Sequence, residues 1–171
     1  MILGGMMTRF GLLVATACVA ALALAGPPAV AQGKNKQHAS TPATQTTAKK
    51  AHRLVLQVNS ADPAMMTLAL NNASNVEQYY KDLGEKVEIE IVTFGPGLHM
   101  LREDTSPVKD RIKAMAEKSK AISFKACGNT QANMAKAENQ EIKLVPQATV
   151  VKSGVVRVIE LQEQGWSYVR P

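Results

Sequence analysis

A single thiol dominates the chemistry this chain offers. Cys127 stands in the run Phe124-Lys125-Ala126-Cys127-Gly128-Asn129-Thr130, where the apolar stretch Ala121-Ile122-Ser123-Phe124 ends and a helix is expected to begin. At such a junction the first helical N–H groups and the helix dipole stabilise a thiolate, which is the nucleophilic form of cysteine. The other cysteine, Cys18, lies in a segment that reads as a removable export signal, so the mature chain is expected to carry one unpaired thiol. In an oxidising compartment an odd cysteine points to intermolecular pairing or to a reactive thiol. Packing as a small buried hydrophobe is the competing reading.

The elements that position this thiol can be read from periodicity. Arg53 to Val58 is an apolar run closed by turn residues, a first strand. Asp62 followed by Pro63 is an N-cap with proline at the first helical position, and Met66, Ala69, Leu70, Ala73, Val76, Tyr80 and Leu83 then recur at helical spacing until Gly84. Val87 to Phe94 is a second strand, broken by Gly95-Pro96-Gly97, with one short turn expected over Leu98 to Leu101. Ser106-Pro107 is a second cap-and-proline start, leading a helix with Val108, Ile112 and Met115 on one face. Ala121 to Ala126 is a third strand, Asn129 a cap for a helix carrying Ala132, Met134 and Ala135, and Leu144 to Val151 a fourth strand despite Pro146. The stretch from Thr149 to Gly165 fits either a β-hairpin turning at Lys152-Ser153-Gly154 or a strand, a Ser153 cap and a helix; β-branched residues favour the first, and Glu160 to Gln164 the second. Tyr168 to Arg170 is a short last strand. Strands alternating with helices predict an α/β class, a doubly wound parallel sheet covered on both faces.

In such a sheet ligands sit beyond the carboxyl ends of the strands. Those ends supply Asn59 after strand 1, Gly95-Pro96-Gly97 after strand 2 and Cys127-Gly128-Asn129 after strand 3. The expected pocket therefore groups Asn59, Gly95, Gly97, His99, Gly128 and Asn129 around Cys127. Gly128 lets the backbone approach closely, and the amides of Gly128, Asn129 and Thr130 could line up behind the sulfur. His99 is the histidine expected within the folded core, either a base for Cys127 or, more often for a lone histidine, a structural group. Lys125 would share a pleat face with Cys127 only if the strand runs that far; otherwise it is a solvated lysine. Met65, Met66, Met115 and Met134 fit helix core positions, and no cluster of Cys, His and carboxylate shows ligand spacing, so neither a metal nor a cofactor is expected. No Gly-x-Gly-x-x-Gly follows strand 1 and no nucleophile elbow is present.

Charge and composition divide the 171 residues into three parts. Arg9, the uncharged run from Phe10 to Leu24, Gly26-Pro27-Pro28 and Ala29-Val30-Ala31 make a basic start, a short apolar core and a small-x-small cleavage site, an export signal over 1–31. The apolar run is shorter than the roughly 18 residues a membrane span needs, so no stable insertion is expected. Residues 32–50 are polar or small and read as a disordered tether. The formal net charge of +6 belongs mainly to these leading segments, because Arg9, Lys34, Lys36, Lys49 and Lys50 precede the first acid, Asp62. The remaining 51–171 region is close to neutral, which argues against a nucleic-acid face.

Several motifs in order resemble the DsrE/DsrF-like family, in its exported branch. They are Leu70-Asn71-Asn72-Ala73, Val92-Thr93-Phe94-Gly95-Pro96-Gly97-Leu98, Ala126-Cys127-Gly128-Asn129-Thr130 and the stretch from Val155 to Pro171 ending Gly165-Trp166-Ser167-Tyr168-Val169-Arg170-Pro171. The resemblance implies a three-layer α/β/α, flavodoxin-like fold with a mostly parallel five-stranded sheet, homotrimers or hexamers, and a helix from about Ser153 to Gln164. It also implies sulfur carried on Cys127 as a persulfide and relayed to another protein or a small thiol, in the periplasm. The motif around Cys127 differs from that of the intracellular carriers, and no second cysteine can resolve the persulfide within one subunit. A non-catalytic oligomeric binding module and a redox sensor are the alternatives. A sulfur open to a cleft beside Gly95–Gly97 would favour the carrier; a sulfur sealed under Phe124 and Leu98 would favour the binding module.

Overall fold

The computed structural model describes residues 51–171; the expected export signal and tether lie outside the described residues. Five strands form one sheet: β1 His52–Val58, β2 Val87–Thr93, β3 Ile122–Cys127, β4 Ala148–Val151 and β5 Ser167–Val169, in the order β4-β3-β2-β1-β5. Every ladder is parallel. Between them lie α1 Pro63–Asp82, a 3₁₀ segment Gly95–Leu101, α2 Lys109–Lys118, α3 Gly128–Glu138 and α4 Gly154–Glu163. The expected flavodoxin-like α/β/α layering is the one observed.

The layering follows from the strand order. Right-handed crossovers place helices on one face while the chain steps steadily from β1 to β4. Reaching β5, on the far side of β1, reverses the direction and puts α4 on the opposite face. The two faces are therefore unequal. The larger core joins Leu54, Leu56, Ile89, Ile91 and Phe124 of the sheet to Met66 and Leu70 of α1, Leu98 and Leu101 of the 3₁₀ segment and Ile112 of α2. Beneath α4 only Val55, Val92, Val158 and Leu161 form a buried cluster, flanked by Phe94 and Trp166. Val158 and Leu161 each contribute about 2 kcal/mol by burial, a modest attachment for a ten-residue helix.

Local signals account for most element ends. The Asp62 carboxylate accepts from the Ala64 amide at 2.8 Å with Pro63 behind it, and Gly84, at φ 63°, closes α1 in the left-handed region. Ser106-Pro107 does not start α2. The Ser106 hydroxyl instead donates to the Met100 carbonyl at 2.6 Å, and the helix begins at Lys109 without a side-chain cap. Strand β4 is shorter than its apolar run suggests: Pro146 lacks the amide a ladder needs, and Leu144 keeps only an isolated bridge to Arg102. The stretch after Ser153 is the helix α4, not a hairpin.

Arg102 is the largest polar side chain in the interior, 2% exposed. Its guanidinium donates to Asp104 at 2.9 and 2.7 Å and to Glu138 at 2.5 and 2.7 Å, pinning the end of the 3₁₀ segment to the last turn of α3. The Arg102 hydrogen bonds hold the Glu138 carboxyl at about 2, against an ordinary 4.5, and lower that of Asp104. A folded pKa below the unfolded one stabilises the protein above pH 4.5, and that contribution is lost as pH falls toward about 2. The melting temperature is accordingly expected to drop between pH 4.5 and 2, and to drop less in Glu138→Gln, measured by thermal scans across that window.

Candidate functional site

Cys127 is the last residue of β3 and the N-cap of α3, with extended backbone at φ −70° and ψ 114°. The cap expected at Asn129 therefore lies two residues earlier, and the capping atom is sulfur. Its Sγ accepts from the Thr130 amide at 3.5 Å, the N3 position that a cap side chain normally serves. Ile122, Phe124 and Ala126 fill the larger core, whereas Cys127 turns toward the α4 side of the sheet. A Cβ built on Gly154 would stand 2.9 Å from Phe94 Cδ1 and 3.2 Å from Cys127 Cβ, so the first turn of α4 lies directly over the cysteine.

Two helix N-termini thus converge on one sulfur. Burial pushes the thiol up, and it is the largest single influence. The polar groups about the sulfur, the Thr130 side chain first and then the Gly154, Thr130 and Asn129 amides, together outweigh it, and the thiol ionises below its ordinary 9.0. The residue is nonetheless only 4% exposed. Its cover is Phe94 and Gly154, since Phe124 and Leu98 pack in the larger core.

Thr130 also ties the neighbouring loop to the site. The Gly95 amide donates to the Thr130 hydroxyl at 3.0 Å, joining the end of β2 to the start of α3. The Asn129 amide donates to the Lys152 carbonyl at 3.3 Å, which joins the end of β4 as well. Gly128 fits against Val150 and Val151, where a Cβ would meet the Val150 side chain at 3.2 Å.

The expected pocket residues separate into those gathered at the sulfur and those placed elsewhere. Gly128 and Asn129 flank Cys127, and Gly95 reaches it through Thr130. Gly97 instead abuts the end of β1, and Asn59 lines a small cleft of about 20 Å³ with Ser60, Met65 and Arg170. The His99 ring hydrogen bonds the Thr105 hydroxyl at 2.8 Å, and no hydrogen bond among the described residues joins it to Cys127. Lys125 does share the pleat face of Cys127, because β3 runs through to residue 127. Around the start of α4, Asn129, Lys152, Ser153, Val156, Arg157 and Glu160 line a cleft of about 580 Å³, which Cys127 itself does not line.

Phe94, Gly154, Glu90 and Arg157 were not expected at the site. Arg157 of α4 donates through Nε and Nη2 to the two carboxylate oxygens of Glu90, at 3.0 and 2.6 Å. A carboxylate in the middle of an apolar central strand is the sequence signal that a partner must lie above it.

The family model of the DsrE/DsrF-like family matches residues 38–171. The chain belongs to the DsrE/DsrF-like family. Among solved structures it is similar to the protein of unknown function MTH1491 from Methanobacterium thermoautotrophicum, at 28% identity and a TM-score of 0.60, covering 70% of this chain and 99% of that one. No curated protein matches the chain. DsrE/DsrF-like proteins are generally implicated in sulfur relay, and this member places its cysteine at a strand end surrounded by amide donors.

Proposed function

We propose that this DsrE/DsrF-like protein carries sulfane sulfur on Cys127 as a persulfide, working as an exported, periplasmic sulfur carrier. The observation that supports this reading is the sulfur's place at two helix N-termini, where it accepts from the Thr130 amide and lies against Gly154, which favours an anionic thiolate before loading and an anionic persulfide after it. The thiolate attacks a sulfane sulfur: with thiosulfate the S–S bond of the donor breaks, Cys127 becomes a persulfide anion and sulfite leaves. The charge is unchanged and no further oxidant is needed. Handing on reverses the step, as an acceptor thiolate takes the outer sulfur and restores the Cys127 thiolate. With one cysteine in the folded domain, the acceptor is another protein or a small thiol, and the carrier works as a homotrimer or hexamer.

Intact-mass spectrometry after incubation with polysulfide or thiosulfate tests this. The expected result is a gain of one sulfur mass that dithiothreitol removes and that Cys127→Ser lacks; no adduct with either donor would overturn the carrier. The 4% exposure of Cys127 favours a second reading, a non-catalytic ligand-binding module in which the thiol is a packed cap; a redox sensor would need the thiol exposed.

A further inference from the structure

The site as described has a contradiction at its centre: a thiol well supplied with hydrogen-bond donors, yet 4% exposed. What lies over it is the first turn of α4, whose Gly154 fits between Phe94 and Cys127 with no room for a side chain. The position of that turn therefore decides both whether the sulfur can be reached and whether the N-terminus of α4 lies against it.

Little else holds α4 down. Its buried apolar contacts are Val158 and Leu161, both beyond the first turn, which with Val55 and Val92 of the sheet make a cluster of four buried side chains, whereas nineteen fill the opposite core. On the solvent side Val155, Val156 and Ile159 are about half exposed and give the helix no grip on the sheet. The polar anchor is Arg157, one turn in from Gly154, whose fork engages both oxygens of Glu90. Glu90 is 8% exposed in the middle of β2, and Arg157 is its hydrogen-bonding partner there. A bidentate guanidinium–carboxylate pair fixes direction as well as distance, which a purely apolar contact does not.

We propose that the Glu90–Arg157 pair is the positioning element of the cysteine site, clamping the first turn of α4 over Cys127 so that Gly154 covers the sulfur and the N-terminus of α4 stays against it. The pair touches neither sulfur nor substrate; it acts through the helix. Release of the clamp, by a partner that engages α4 or by substitution, uncovers the sulfur toward the cleft lined by Asn129, Lys152 and Ser153. This deepens the proposed carrier function by assigning the control of access to its cysteine, and it rests on that reading for its purpose but not for its test.

The test is alkylation of Cys127 by iodoacetamide, followed as a pH–rate profile, which needs no sulfur cargo. The ionisable side chains on the elements about the sulfur are Lys125 on β3, Glu88 and Glu90 on β2, Lys136 and Glu138 on α3, Arg157, Glu160 and Glu163 on α4 and Lys152 before it, and only the pair is altered. Arg157→Met and Glu90→Gln are expected to move the half-maximal pH upward, as the N-terminus of α4 leaves the sulfur, and to raise the plateau rate about tenfold, as the cover opens. Arg157→Lys, which keeps a cation but loses the fork, is expected to fall between wild type and Arg157→Met. Ile112→Val, in the opposite core, is expected to lower the melting temperature without moving the profile. Should Arg157→Met fold poorly, Arg157→Lys carries the same readout. A wild-type profile in cooperatively melting variants of the pair, or an equal shift in Ile112→Val, would overturn the clamp. If alkylation behaves as expected while no persulfide forms on the wild type, the carrier function fails and the clamp stands.

Discussion

Gly97→Ala is expected to lose about 3 kcal/mol of stability or more, enough to leave much of the protein unfolded at moderate urea. The reason is a backbone-to-backbone approach. A Cβ at position 97 would lie 2.1 Å from the Val58 carbonyl oxygen, 2.5 Å from its carbon and 2.8 Å from Asn59 Cα. Those atoms belong to the end of β1, a central strand paired on both sides, and cannot swing aside as a flexible side chain would. Gly95→Ala is the matched control. Gly95 has φ +53° but no atom within 4 Å of its Cβ position, so it incurs only the left-handed strain of about 1 kcal/mol. Urea midpoints for the two variants separate clash from strain. Equal midpoints would mean that the 3₁₀ segment does not press on β1 as described.

Cys127→Ser is expected to abolish sulfur loading altogether while leaving the fold intact. Serine is a preferred N-cap, and its oxygen can take the Thr130 amide that Sγ now accepts, so the helix start survives. Loss of loading with an unchanged melting temperature would assign the chemistry to the sulfur rather than to the scaffold. Thr130→Val separates donor from nucleophile. It removes the hydroxyl that bonds Cys127 and that also accepts from the Gly95 amide. The thiol is then expected to ionise at higher pH and to alkylate more slowly near neutrality, with the nucleophile still present. Stability is expected to fall by about 1–3 kcal/mol, because the partly buried Gly95 amide loses its partner. A Thr130→Val protein with the wild-type pH–rate profile would show that the hydroxyl does not tune the sulfur.

The differing fates of the expected site residues have a physical pattern. Cys127, Gly128 and Asn129 are contiguous, so a correctly read strand-to-helix junction is enough to put them together. Gly95 joins them because parallel neighbours β2 and β3 end at the same level, Thr93 opposite Ala126. His99 falls inside the 3₁₀ segment, whose side-chain directions no strand or helix period predicts, and there its ring bonds Thr105. Asn59 follows the same strand-end rule as Gly95, but β1 is one strand further from β3, and its loop meets Gly97 instead of the sulfur.

The fold class was legible in the chain itself because alternating strand and helix periods, the Asp62-Pro63 cap and glycine stops are local properties that each segment carries independently of the others. The thiol's place at a strand end was legible for the same reason. Which helix covers that thiol was not. Gly154 lies twenty-seven residues from Cys127 along the chain, and the contact exists only because β5 joins the sheet beside β1, which sends α4 back across the bare face. The half-buried Glu90–Arg157 pair is a product of the same crossover. Local periodicity can place a nucleophile at an edge; its shielding and its supply of donors depend on strand order, a property of the whole sheet that no single segment encodes.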